Sequence, residues 1–201
     1  MSKETLIIAT HNEHKVEEIK AMLPPSFQTQ FDLASCNSLL PKLTWEETGL
    51  SFEENAMIKL RSIQSKMPHA HILADDSGLC VPSLGGQPGI YSSRFAGDQA
   101  SDQDNMRKLL NLMESFEGEQ RAAYFQCTLC YQAPKGEVQF FEGRVHGRIS
   151  DTPSGSKGFG YDPIFIPEDF QKSLAELEPA IKNEISHRFN AVKSWLNSLT
   201  V

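Results

Sequence analysis

Three observations predict an α/β or mixed fold. Short apolar runs of strand length alternate with stretches whose apolar residues recur at helical spacing. Capping residues, prolines and glycines punctuate these stretches where helices and strands would start and stop. In a 201-residue chain, 39% hydrophobic residues is an ordinary supply for a globular core.

The elements follow in order. Leu6-Ile7-Ile8-Ala9 reads as a strand. It enters the polar stretch Thr10-His11-Asn12-Glu13-His14-Lys15, after which Val16, Ile19 and Leu23 mark a helix that Pro24-Pro25 stops. Ser51 and Glu54 form a capping box for the next helix. Its apolar stripe is Phe52, Ala56, Leu60, Ile63 and Met67, and Pro68 ends it. Ile72-Leu73-Ala74 reads as a short buried strand running into a turn at Asp75-Asp76-Ser77-Gly78. Gly85-Gly86-Gln87-Pro88-Gly89 is loop, and Met106, Leu109, Leu110 and Met113 mark a third helix. Residues 121–131 and 137–145 read as two strands of a hairpin joined at Pro134-Lys135-Gly136. A further loop, 155–158, leads into Tyr161-Asp162-Pro163-Ile164-Phe165-Ile166. The last helix carries Ile185, Phe189, Val192, Leu196 and Leu199 on one face. With no internal repeat, low-complexity segment or linker, residues 1–201 read as one unit.

Charge and composition exclude some functions. A formal net charge of -7 disfavours a broad grip on nucleic acid, which needs clustered Lys and Arg, while leaving room for a local mononucleotide site. No apolar run approaches the roughly 20 residues that span a bilayer. Nor does the N-terminus show a basic region followed by an apolar stretch of signal-peptide length, so a cytoplasmic protein is expected. Cys127 and Cys130 form a CxxC, but within a strand residues three apart face opposite ways and no second CxxC exists. Cys36, Cys80, Cys127 and Cys130 are therefore expected as buried reduced thiols, which fits a cytosolic setting.

Four clusters invite chemistry. In the first, the strand–turn–helix at Thr10–Lys15 offers free N–H groups and a partial positive charge to an anion. Asn12 caps the helix or donates to a phosphate. Lys15 opposes the helix dipole unless an anion is bound. A capped helix with a solvated lysine is the plain alternative, and P-loop and dinucleotide glycines are lacking. The second cluster is carboxylate. Glu46-Glu47 precede the capped helix, and of Asp75-Asp76, which face opposite ways, one would face the cleft while the other anchors the turn. Glu47 and Asp76 would supply hard oxygens for Mg²⁺, which needs only one or two carboxylates beside substrate phosphate. Asx-turns and solvated surface acids are the alternative.

The third is Gly158-Phe159-Gly160-Tyr161-Asp162-Pro163, where an aromatic ring between glycines lets a base stack close to the backbone, typically worth ~1–3 kcal/mol. Core aromatics at a bend explain it equally well. The fourth is Lys182 with Ser186-His187-Arg188, either a donor group at the start of the last helix or a solvated helix start. An acyl-transfer triad is rejected because no G-x-S-x-G elbow accompanies it.

Taken in order, ATHNEHK (9–15), EETG (46–49) with SFEENA (51–56), ADDSGL (74–79), GGQPGIYS (85–92), GFGYDP (158–163) and ISHR (185–188) resemble the inosine/xanthosine triphosphate pyrophosphatases, bacterial members above all. Each motif is weak alone, and the ordered set, spanning about residues 6–196, is specific. The resemblance implies a long twisted mixed β-sheet with flanking helices, two lobes around a central nucleotide-binding cleft, a homodimer and a Mg²⁺ requirement. It implies that Thr10, His11, Asn12, Glu13, His14 and Lys15 bind the triphosphate, with Ser77 and Lys59 near the phosphates. Asp76 would be general base and metal ligand, and Glu47 a further ligand. Phe159, Gly160, Tyr161 and Asp162 would hold the nucleoside, with Lys182, His187 and Arg188 around the base. His11 stands where many relatives carry glycine, so its role is open.

The implied reaction is hydrolysis of deaminated purine triphosphates (ITP, dITP, XTP) to the monophosphate and pyrophosphate. Donors from His187 or Arg188 would suit a 6-oxo group and face a like donor in adenine. A pyrimidine-directed pyrophosphatase is the rival within enzymes, and a nucleotide sensor without turnover the rival outside them. A nucleic-acid-binding role ranks last.

Overall fold

The computed structural model describes residues 3–199. Six strands hydrogen-bond in the order β2-β1-β3-β4-β5-β6: β1 Glu4–Ala9, β2 Phe31–Ser35, β3 His71–Cys80, β4 Ala122–Gln132, β5 Val138–Ile149 and β6 Phe165–Pro167. The α-helices are α1 Glu13–Met22, α2 Phe27–Gln30, α3 Cys36–Leu39, α4 Phe52–Gln64, α5 Asp102–Leu112, α6 Pro179–Ile185 and α7 His187–Leu199. β1 is parallel to β2 and β3, and β5 is antiparallel to β6, so the sheet is mixed. The chain divides into two compact units, Met1–Asp76 with Cys127–Gly143 and Arg188–Val201, and Ser77–Gln126 with Arg144–His187.

The first unit is built on alternation along β1. Leu6 and Ile8 join a core with Val16 and Ile19 of α1, Leu73, Cys127 and Leu129, and Ala191, Val192 and Trp195 of α7. Ile7 and Ala9 face the other way, onto Cys36 of α3, Ala56, Leu60 and Ile63 of α4, Ile72, Ala74 and Cys130. A parallel strand covered on both faces needs apolar residues at consecutive positions, which explains the unbroken run Leu6–Ala9. α1 is too short to be stable alone. Burial of Val16 and Ile19, at about 1.5–3 kcal/mol each, fixes it to the sheet. Cys127 and Cys130 lie in opposite cores, as strand parity predicts, and all four cysteines are buried thiols.

The second unit has its own core, in which Leu79, Phe95, Met106, Leu109, Phe125, Tyr161 and Phe165 are among the buried members. α5 starts with a full capping box between Ser101 and Asp104, and it buries Met106 and Leu109 as the spacing predicts.

The structure corrects three expectations. β3 does not end at Ala74. It runs to Cys80, so Asp75-Asp76-Ser77-Gly78 is strand. Gly78 serves close approach there, since a Cβ would sit 2.3 Å from the Gly89 carbonyl oxygen and 2.4 Å from Ser92 Oγ. At α4, Ser51 Oγ accepts from Glu54 N, but the Glu54 carboxylate accepts from Leu50 N, one residue outside the expected box. The last helical stretch breaks at Ser186, which is extended with ψ 156°, so Ile185 ends α6. Ala191, Val192 and Trp195 are the most buried apolar side chains of α7, and Leu199 is exposed. The hairpin turn forms where expected, with Gly136 N donating to Ala133 O and β5 extending to Ile149.

Candidate active site

In the first unit, the Thr10–Lys15 stretch is shaped by Asn12. Its Oδ1 accepts from His14 N (3.0 Å) and Lys15 N (3.4 Å), so its carboxamide oxygen caps α1 and its Nδ2 remains as a donor. Thr10 is buried at the end of β1, and its Oγ1 accepts from Asn12 N. Glu13 sits in the first turn, where the dipole favours it, and accepts from Asn37 Nδ2. His11 and His14 are exposed.

Parity along β3 then separates the two aspartates. Asp75 shares its face with Leu73, toward α1 and α7. Asp76 shares its face with Ala74, toward α4. Asp75 is 0% exposed and accepts from three donors: Lys15 Nζ at 2.5 Å on Oδ1, and Arg188 Nε at 2.9 Å and Cys127 Sγ at 3.1 Å on Oδ2. Arg188 Nη1 donates to Glu18. Burial alone would raise the Asp75 carboxyl, but Arg188 and Lys15 outweigh it and hold the group well below the usual range. Burial, then the Asp75 charge, pushes the Cys127 thiol far up, so it acts as a donor rather than a nucleophile.

Asp76 has a different environment. Lys59 Nζ donates to Asp76 Oδ1 at 2.6 Å and to the Asp75 carbonyl at 3.0 Å, and it pairs with Glu47 Oε1 at 2.8 Å. Burial raises the Asp76 carboxyl, and Lys59 only partly opposes this. Asp76 is 5% exposed, and its Oδ2 has no hydrogen-bond partner among the described residues. Lys59 would lose its proton to burial, but Asp76 and Glu47 hold it charged. The Glu47 segment has no regular structure. Asn55, buried on α4, ties it down by accepting from Gly49 N at 2.9 Å. A side chain at Gly49 would sit 2.7 Å from that Asn55 oxygen.

The second unit carries the aromatic cluster. Gly158 and Gly160 have φ of 74° and 61°, which favour glycine. Asp162 Oδ2 accepts from Phe159 N (3.0 Å) and Lys182 Nζ (2.6 Å), and Asp102 Oδ2 accepts from Gly160 N (2.7 Å). Lys182 Nζ lies 4.8 Å from the Phe159 ring centroid, a cation–π contact. Phe159 is half-buried, whereas Tyr161 is a core residue whose hydroxyl donates to Ser92 O. His187 is buried and stacks on Phe125 at 4.9 Å. Ser77 is half-buried.

Several sequence-predicted residues therefore meet. Lys15 joins Arg188 on Asp75, Lys59 joins Glu47 and Asp76, and Phe159, Asp162 and Lys182 join one another. Arg188 pairs with Asp75 and Glu18, and Tyr161 belongs to the second core. Sequence reasoning missed Asp75, Glu18, Cys127, Asn55 and Asp102 as members. Parity applied to both faces of β3 would have sent Asp75 toward α1, but nothing local marks the others.

The match to a family model decides the kinship: the model described as the Ham1 family covers residues 6–198. The chain belongs to the Ham1 family. A dITP/XTP pyrophosphatase of Bacillus subtilis is 46% identical over 93% of this chain and 92% of its own. One of Legionella pneumophila (strain Paris) is also 46% identical, over 93% of this chain and 94% of its own. Among solved structures, the Staphylococcus aureus Ham1 protein superposes with a TM-score of 0.86 at 37% identity, covering 98% of each chain. A HAM1 protein from Coxiella burnetii gives 0.86 at 34%, with the same coverage. The mixed sheet with flanking helices is thus the fold of the family. No helix among the described residues is long and apolar enough to cross a membrane.

Proposed function

We propose that the chain hydrolyses deaminated purine nucleoside triphosphates, ITP, dITP and XTP, to the monophosphate and pyrophosphate, and so keeps these bases out of nucleic acid. The observation that carries the reading is Asp76, a buried carboxylate with a raised pKa and an unpartnered oxygen, held beside Lys59.

In this reading the Thr10–Lys15 stretch and the carboxylates of β3 serve the triphosphate. The N-terminus of α1, Thr10, Asn12 and Lys15 receive phosphate oxygens. The exposed His14 and the Glu13-bearing turn border them, and Ser77, next to Asp76 in the chain, is a further contact. Water attacks the α-phosphorus, its proton goes to Asp76, and the bond to the bridging oxygen breaks, releasing pyrophosphate. Lys15 and Lys59 stabilise the charge on the leaving group. Among the described residues paired around β3, three cations (Lys15, Lys59, Arg188) face four carboxylates (Glu18, Glu47, Asp75, Asp76). That excess of acid, with the orphaned Asp76 oxygen, fits a hard divalent cation. Asp76 and Glu47 would hold Mg²⁺, which when bound withdraws charge from phosphate oxygens.

The Phe159–Asp162 stretch serves the nucleoside. Phe159 and Gly160 offer the stacking surface, Tyr161 and Asp162 frame it, and Lys182 and His187 supply donors suited to a 6-oxo group. A purine with a 6-amino group would leave such a donor unsatisfied, at ~1–3 kcal/mol. Arg188 acts through Asp75. The whole chain works as one catalytic domain, and the family resemblance supports a cytoplasmic homodimer.

The test is pyrophosphate release from ITP, dITP, XTP, ATP, GTP, dTTP and UTP, with and without Mg²⁺. Mg²⁺-dependent release from the first three alone supports the reading. Preference for a pyrimidine or a common purine overturns the base assignment, and release from none overturns the activity.

A further inference from the structure

The geometry points to His11 as a positioning residue, which uses its ring to fix the Glu47 segment in place. It rests on the assignment of Glu47 to the metal and deepens it. The imidazole of His11 stacks on the indole of Trp45, with centroids 3.9 Å apart and planes 12° from parallel. His11 lies between Thr10 and Asn12 of the phosphate stretch, and Trp45 lies two residues before Glu47. The stack therefore links two segments that are 34 residues apart in sequence and belong to the same compact unit.

The His11 ring is itself oriented. Asn37 Nδ2 donates to Glu13 Oε1 and to the His11 carbonyl oxygen (3.3 Å), which fixes the carboxamide so that its Oδ1 faces His11 Nδ1 at 2.6 Å. An acceptor at that distance requires the proton on Nδ1. The ring plane is thus set by Asn37, and the indole is laid against it.

The Glu47 segment needs such a support. Residues 43–49 contain no helix or strand. Their downstream end is held by Gly49 N on Asn55 and Leu50 N on Glu54. Upstream, a turn closes Leu43 N onto Leu40 O, and Trp45 packs against the core beside α4. The His11 stack adds the tie to the phosphate stretch, so the positions of Glu47 and of the α1 N-terminus are set together. Glycine at position 11 would leave one face of the indole open.

The experiment compares wild type with His11→Gly and His11→Phe. Phe keeps the stack and gives up the ring-nitrogen contacts to Asn37 and Cys36. Two quantities are read. One is the Mg²⁺ concentration for half-maximal pyrophosphate release, with kcat and KM measured separately. The other is acrylamide quenching of tryptophan fluorescence in metal-free protein. Trp195, the one other tryptophan, is fully buried, so quenching reports Trp45. His11→Gly is expected to raise the Mg²⁺ requirement about three- to tenfold, the range an aromatic pair commands, with kcat less affected. It is expected to increase the quenching of Trp45. His11→Phe is expected to return both quantities close to wild type. Unchanged quenching in His11→Gly overturns the clamp whether or not the wild type turns over any triphosphate, so the clamp and the activity fail separately. Greater quenching with an unchanged Mg²⁺ requirement overturns the link to Glu47. Equal impairment of the Gly and Phe variants overturns it too, because the ring stack would then not be what carries the effect.

Discussion

Substituting Asp75 by Asn tests the charge network most severely. The carboxylate receives donors on both oxygens, Lys15 Nζ on Oδ1 and Arg188 Nε with Cys127 Sγ on Oδ2. A carboxamide has the same shape but only one acceptor atom, so whichever way it turns, its NH₂ meets a donor. Arg188 is 1% exposed and retains Glu18, while Lys15 loses its charged partner. Breaking a buried pair from one side costs about 3–5 kcal/mol. For a chain of this size, each kcal/mol moves Tm by about 2–4 °C, so a fall of roughly 6–20 °C is expected at pH 7. The sign of the pH dependence also follows. Because the folded carboxyl lies well below its ordinary 3.8, its stabilisation is present above that value and fades as pH falls toward the folded value. The gap between wild type and Asp75→Asn should therefore narrow in acid. Thermal unfolding by circular dichroism at pH 7 and at about pH 3, below the ordinary carboxyl value, measures both effects. A variant melting within 2 °C of wild type at pH 7 would refute the reasoning.

Asp76→Asn should lower kcat by about 10²-fold or more while Tm stays within a few degrees, because it removes a buried charge and keeps the shape; near-normal turnover would take Asp76 out of the base role. The acid limb of kcat/KM should lie above the ordinary carboxylate range, since burial raises Asp76 and a base works only when deprotonated; a limb at or below that range counts against it. Lys182→Met strips Asp162 of its buried partner and Phe159 of its cation, and should raise KM for ITP more than it lowers kcat, by about tenfold; a pure loss of kcat would place Lys182 in the phosphate chemistry instead.

How much of this was legible depended on the range of the forces involved. The cap at Asn12 and the box at Ser101 are local, and the first was readable from the chain. The α4 stripe was readable, but Lys59 is 3% exposed on that same helix because Asp76 and Glu47, far away in sequence, make a cation tolerable there. The strand at Asp75-Asp76 was misread as a turn for the same reason. Two adjacent carboxylates look like turn formers until helices elsewhere supply Lys15, Arg188 and Lys59 to neutralise them. The break at Ser186 carries no proline or glycine to announce it. Phe159 and Tyr161 differ in no local property that would tell a half-buried stacking surface from a core ring. Only the position of Ser92 and the second core separates them.

The adjacent aspartates show how one dipeptide yields two functions. Strand parity sends them to opposite faces, and the helices on those faces bring unequal charge. Asp75 meets two cations and a thiol, so it is held ionised at neutral pH with both of its oxygens engaged. Asp76 meets one lysine that it shares with Glu47, so it remains under-neutralised, with an oxygen to spare. Opposed environments that push two neighbouring pKa values apart mark which group can exchange a proton and which cannot. The two sites are also coupled, because Lys59 donates to the Asp75 carbonyl as well as to the Asp76 carboxylate. The strand that anchors the cations therefore also aims the proposed base, and exchanging the two roles would require exchanging the faces of the sheet.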